Sequence, residues 1–95
     1  MYEIIRTKVF EKSYKKVKES GLFKKQAKED LARVITILAS GEKLSIEYRD
    51  HQLKGKLKQY RECYIKGDIL LVYEIRKNEL ILLLSDIGSH SYLNL

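Results

Sequence analysis

QYRECYIKGDILLVYEIRKNELILLLSDI, Gln59 to Ile87, decides the fold. It holds three apolar runs, QYRECYI, DILLVYEIR and ELILLLSDI, divided by the short joints KGD and RKN. Runs of this length, rich in β-branched and aromatic residues, read as strands. Joints this short make hairpins, so consecutive strands should pair antiparallel. DILLVYEI and ELILLLSD are apolar at both parities, which suits central strands with both faces partly covered. Upstream the period changes. Phe10, Tyr14 and Val17 recur at helical spacing behind Thr7, an N-cap candidate, and Gly21 ends that run. A second helix should span about Lys24 to Ala39, with Ala27, Leu31, Val34, Ile35 and Leu38 on one stripe and Gly41 just past its end. Tyr2 to Arg6 reads as a short first strand. The expectation is an α+β domain, β-α-α-β-β-β, with two N-terminal helices on one face of an antiparallel sheet and the other face open.

The 95 residues, 44% of them hydrophobic, suffice for one domain, residues 1–95, with no proline and no linker-like tract. A single cysteine, Cys63, forms no internal disulfide and reads as a small buried hydrophobe in a reducing compartment. No apolar run is long enough to span a bilayer, and the first ten residues lack a signal-peptide pattern. A soluble, cytoplasmic protein is therefore expected. The net charge of +6 favours polyanionic partners such as nucleic acid, a ribosome or an acidic protein.

Chemistry concentrates in YRDHQLKGKLKQYREC, Tyr48 to Cys63. His51 stands beside Asp50 and ahead of Lys54, Lys56, Lys58 and Arg61. An imidazole titrates near pH 6.5, so His51 suits general acid or base work, and a solvated loop histidine is the bland alternative. Asp50 is a candidate to orient it. In an extended chain the three lysines would share one side and could line a strip for phosphates; they could equally be a solubilising edge. Arg61 offers a planar fork for a phosphate or for a structural carboxylate partner. Tyr60 and Tyr64 share a parity opposite to Arg61, Cys63 and Ile65, so Tyr64 and Arg61 should face opposite sides unless a bulge intervenes. The other histidine, His90, lies in the polar-aromatic tail GSHSYLNL. Two distant histidines and one cysteine do not fit a metal-ligand spacing, and no metal or cofactor is expected.

Together these segments resemble the YafQ-type toxins of the RelE/ParE superfamily, small mRNA interferases of type II toxin–antitoxin systems. The family pattern runs Y-x-D-H-x-L-x-G, then R-[DE]-x-H-[IV]-x-x-D, an apolar strand ending in Tyr, and R-x-G-[ST]-H. Tyr48, Asp50, His51, Leu53 and Gly55 match the first part; Arg61, Glu62, Asp68 and Tyr73 match the middle; Gly88, Ser89 and His90 match the last. The resemblance implies a RelE-like fold and cleavage of mRNA in the ribosomal A site without metal or cofactor. It places His51, Asp68 and His90 on catalytic positions, and an antitoxin as the silencing partner of a toxin that is otherwise monomeric. Two residues depart from the pattern. Tyr64 stands where the family has histidine, and Asp86 where it has an arginine. Related RelE toxins employ a tyrosine in their sites, which keeps Tyr64 among the site candidates. Asp86 puts negative charge where a cation is expected, with Arg61 or a loop lysine to compensate. The departures leave a second expectation open: an attenuated homologue that binds antitoxin or ribosome without cutting. A gyrase poison of the ParE branch would not call for these histidines.

Overall fold

The computed structural model describes residues 1–21 and 23–93; Leu22 and the tail residues Asn94 and Leu95 lie outside the described residues. The chain runs β1 (Glu3–Arg6), α1 (Lys8–Glu19), α2 (Lys25–Ala39), β2 (His51–Gln52), β3 (Arg61–Ile65), β4 (Ile69–Arg76), β5 (Ile81–Ser89) and α3 (His90–Leu93). Thr7 caps α1 as its sequence suggests: its hydroxyl oxygen accepts the Phe10 N–H at 2.9 Å and donates to the Ser85 carbonyl at 3.0 Å. One residue thus starts the helix and ties it to β5. Phe10 and Val17 on α1 and Ala27, Leu31, Val34 and Leu38 on α2 pack into the core against the sheet. Gly41, at φ +83, turns the chain out of α2 in the left-handed region that glycine occupies without strain.

The five strands lie in the order β1-β5-β4-β3-β2. Pairing of β3 with β4 and of β4 with β5 is antiparallel, as the short joints require. β1 instead pairs parallel to β5, so the sheet is mixed. Hairpin geometry governs only consecutive strands; β1 reaches the far edge through two helices, which frees its direction.

Face assignment follows from register. Cys63, Ile65, Ile69, Leu71 and Tyr73 face the helices and are buried in the core. In β5 the pairs Tyr73↔Leu84 and Val72↔Asp86 leave Ser85 without an opposite residue, a β-bulge. Its effect is decisive. Regular alternation would send Asp86 the same way as Leu84, into the core; the extra residue turns Asp86 to the opposite face and lets Ile87 rejoin the core. That opposite face is less open than the sequence suggests. Leu70 and Val72 are buried there, and Leu53, Leu57, Tyr60 and Leu93 gather over Val72 around a cavity of about 210 Å³. The β2–β3 connection and the tail form a partial roof.

Candidate functional site

His51 and Glu62 are direct partners across β2 and β3, so their side chains share the face turned away from the helices. The imidazole Nε2 lies 3.4 Å from Glu62 Oε1. Its Nδ1 lies 2.7 Å from the Arg49 carbonyl oxygen, which can only accept; Nδ1 therefore carries a hydrogen and donates it. Glu62 is buried, and its second oxygen, Oε2, has no hydrogen-bond partner among the described residues. Two residues along β3, on the same face, the Tyr64 ring stacks on the His90 ring with centroids 6.3 Å apart and planes at 23°. The Arg49 guanidinium carbon sits 5.6 Å from the centroid of the Tyr64 ring. His51 and His90 are in this way joined through Arg49 and Tyr64 into one surface. Asp68 is exposed in the β3–β4 turn at φ 62, next to Ile69, which pairs with Ser89, the residue before His90.

Two carboxylates hold the loops that carry these groups. Asp30 is buried in α2 and accepts from the Tyr48 hydroxyl at 3.1 Å, the Lys66 N–H at 3.2 Å and Arg33 at 3.0 Å. It anchors the segment entering the site and the β3–β4 turn at once. Burial raises the Tyr48 hydroxyl above its ordinary value, against the pull of Arg33. Asp50 accepts the Tyr73 hydroxyl and the Arg61 guanidinium, with Arg61 Nη2 and Nε at 3.0 and 3.2 Å. This carboxylate raises the Arg61 value further, and burial with the same carboxylate pushes the Tyr73 phenol well up, keeping it protonated.

These contacts revise two expectations. Asp50 does not orient His51: neighbours in extended backbone point to opposite faces, so His51 meets Glu62 while Asp50 turns to the helix side. Arg61 follows Asp50 there, tied to a carboxylate instead of standing free beside the histidines, as its parity opposite to Tyr64 requires. The lysines also depart from an extended strip. Gly55–Leu57 is a 3₁₀ turn, which sends exposed Lys54, Lys56 and Lys58 around a bend. In the sequence Glu62 stands out as a match to the family pattern and as one possible carboxylate partner for Arg61, which pairs with Asp50 instead, and Arg49 does not stand out. The signal for Glu62 lay in the register of a strand two residues long, too short to see. Arg49 (φ 50) signals itself only through its backbone.

The tail is held by Tyr92, which lies against Gly88 and shares a hydrogen bond of 3.0 Å with Ser13 on α1. A Cβ at Gly88 would come within 2.5 Å of the Tyr92 ring, so this crossing requires glycine. Among the described residues, no helix is long and apolar enough to cross a membrane. Nor do any three His, Cys, Asp or Glu of the described residues converge so as to hold a metal ion.

A mixed sheet with two helices on one face is the fold this chain shares with solved bacterial toxins. Residues 2–94 match the family of bacterial toxins of type II toxin–antitoxin systems called YafQ, and the chain belongs to that family. A metal-bound toxin from Helicobacter pylori is 43% identical, with 98% of this chain and 99% of that one covered and a TM-score of 0.83. The toxin in the Escherichia coli DinJ–YafQ toxin–antitoxin complex is 25% identical over 97% of this chain and 96% of its own, with a TM-score of 0.81. A protein assigned as a YafQ toxin in Haemophilus influenzae is 52% identical over 27 residues, spanning 28% of this chain and 26% of that protein.

Proposed function

We propose that this toxin cuts messenger RNA on the ribosome, with the RNA's own 2′-hydroxyl as nucleophile. The 2′-oxygen bonds to phosphorus as its proton leaves, and the bond to the 5′-oxygen breaks as that oxygen gains a proton. The products are a 2′,3′-cyclic phosphate and a 5′-hydroxyl. Two proton-transfer groups are needed at opposite ends of one phosphodiester, and the proposal gives these roles to His51 and His90. The observation that carries it is the single face holding the His51–Glu62 contact and the Tyr64–His90 stack. Glu62 adds weight. A buried polar atom without a partner costs about 1–3 kcal/mol, more when charged, and such atoms are kept where chemistry uses them. Glu62 Oε2 is in that state beside a histidine.

In this scheme His51 exchanges a proton with the RNA at Nε2, with Glu62 stabilising the charged ring from 3.4 Å, and Asp68 orients His90 or joins the relay. Tyr64 holds the His90 ring on its aromatic face. Lys54, Lys56 and Lys58 attract the RNA backbone; Arg61, committed to Asp50, takes no part. The net charge of +6 suits both a ribosome and an acidic antitoxin, the partner we assign by analogy with DinJ in the E. coli complex. The toxin would act in the cytoplasm, as a monomer when free of antitoxin. Primer extension on mRNA in a purified translation reaction tests the scheme. General acid–base help is typically worth about 10²–10⁴-fold, so His51→Ala and His90→Ala should lose most cleavage; variants that cut as fast as the parent end the assignment.

Asp86 favours a second reading. It lies on the site face opposite Val72 and adds a carboxylate to a surface meant for phosphate. A toxin that binds without cutting would leave the mRNA intact in the same assay, and Asp86→Arg with Tyr64→His would then restore cleavage.

A further inference from the structure

We infer that Arg49 is the cation that meets the scissile phosphate, an inference that rests on the RNA-cutting scheme above. An in-line attack places extra negative charge on the two non-bridging oxygens, and fixed positive charge there commonly gives the largest share of catalysis. The site face itself is acidic, with Glu62 and Asp86 both on it. Of the five arginines, Arg33 is paired with Asp30, Arg61 with Asp50, and Arg76 with Glu74 and Glu79. Arg6 sits on β1, at the edge of the sheet farthest from His51. Arg49 alone lies at the site and, among the described residues, has no carboxylate in ion-pair range.

Its position is also central. The Arg49 carbonyl takes the His51 Nδ1 hydrogen, and its guanidinium lies over the Tyr64 ring that stacks on His90. Arg49 thus touches His51 through its carbonyl and the ring packed on His90 through its guanidinium. An aromatic face positions a guanidinium while leaving its N–H groups free to bind an anion, which a carboxylate partner would not. Two phosphate oxygens fit that planar fork side by side.

The backbone supplies a separate argument. Arg49 holds φ 50, ψ 39, the left-handed region, closing the Ile46–Tyr48 turn. A residue with a Cβ is strained there, where glycine is not, and strain of this kind is kept at working sites when the side chain is needed. The neighbours on both sides are pinned elsewhere, Tyr48 by Asp30 and Asp50 by Arg61 and Tyr73. The tertiary structure thus enforces the strained conformation on an arginine.

The test is cleavage of ribosome-bound mRNA by Arg49→Ala, Arg49→Lys and Arg49→Gly, beside thermal melting of each. All three keep the carbonyl that holds His51. Truncation should slow the cleavage step by about 10²–10³-fold, the usual loss when one such donor is removed. Lysine should recover only part, since it lacks the fork. Arg49→Gly should melt no lower than the parent while losing the same activity, an outcome that a purely structural role for the side chain would not produce. Adding Asp86→Arg to Arg49→Ala should return cleavage, because position 86 lies on the same face. Should Arg49→Ala cut within threefold of the parent while His51→Ala does not, the role of Arg49 is overturned and the nuclease scheme stands. Loss of activity with a matching drop in melting for all three variants also overturns it. A parent that leaves mRNA intact overturns both.

Discussion

Replacing Asp50 with alanine should destabilise the fold by about 3 kcal/mol, and the series around it separates the contributions. A hydrogen bond to a charged group is worth about 1.5–3 kcal/mol, and a buried donor left without a partner costs about 1–3 kcal/mol. Tyr73 is only 1% exposed, so its hydroxyl has no water to turn to once the carboxylate is gone. These two effects overlap and are not summed. Arg61 adds at most about 1 kcal/mol, because its side chain is 38% exposed and solvent screens the pair. Asp50→Asn keeps one acceptor for Tyr73 and loses the charge, which should cost about 2 kcal/mol. Tyr73→Phe leaves Asp50 with Arg61 and strands nothing, so about 1–2 kcal/mol is expected. Urea unfolding followed by circular dichroism gives all three as midpoint shifts at constant slope. The expected order is Asp50→Ala, then Asp50→Asn, then Tyr73→Phe. Asp50→Ala within about 1 kcal/mol of the parent, or Tyr73→Phe as the most damaging of the three, would rule out Asp50 as the anchor of this cluster.

Gly88→Ala should force the Tyr92 ring aside, since the new methyl would lie 2.5 Å from it. Losing the Ser13 contact should cost about 1 kcal/mol, while cleavage should fall more than tenfold as His90 moves with the tail; parallel melting and primer extension check both. Asp30→Asn should loosen the two loops it anchors, seen as faster amide hydrogen exchange at Lys66, whose N–H it accepts. Alkaline stability depends on Cys63 and Tyr73. Burial, then nearby carboxylates, raises both acids, so the folded chain keeps protons that the unfolded chain releases near pH 8.5 for a thiol and 10 for a phenol. Stability is therefore complete below about pH 8.5 and falls as pH rises, by about 1.4 kcal/mol per unit for each group. Cys63→Ala should flatten the interval between about pH 8.5 and 10, and an unchanged profile in that variant would rule the thiol out as its cause.

Most of the element types were legible because they rest on local periodicity. The α1 and α2 stripes, the Thr7 cap, the two hairpins and the burial of Cys63 depend on residues within a few turns of each other, and all are found. The parity of β3 put Tyr64 and Arg61 on opposite sides unless a bulge intervened, and the regular β3–β4 register shows none. Sequence alone also set the two histidines apart from the rest of the chain as the groups able to move protons near neutral pH.

Tertiary structure decided what distant residues must settle together. The parallel β1–β5 pair is chosen by the crossover of two helices, not by any turn. The Ser85 bulge changes which way Asp86 points, and no local pattern in LLLSDIGS marks the skipped residue. β2 is two residues long, so only its pairing with β3 reveals that His51 meets Glu62 while Asp50 meets Arg61 and Tyr73. Alternation tells which residues share a side; only register across strands tells which of them touch, and the site is made of those contacts.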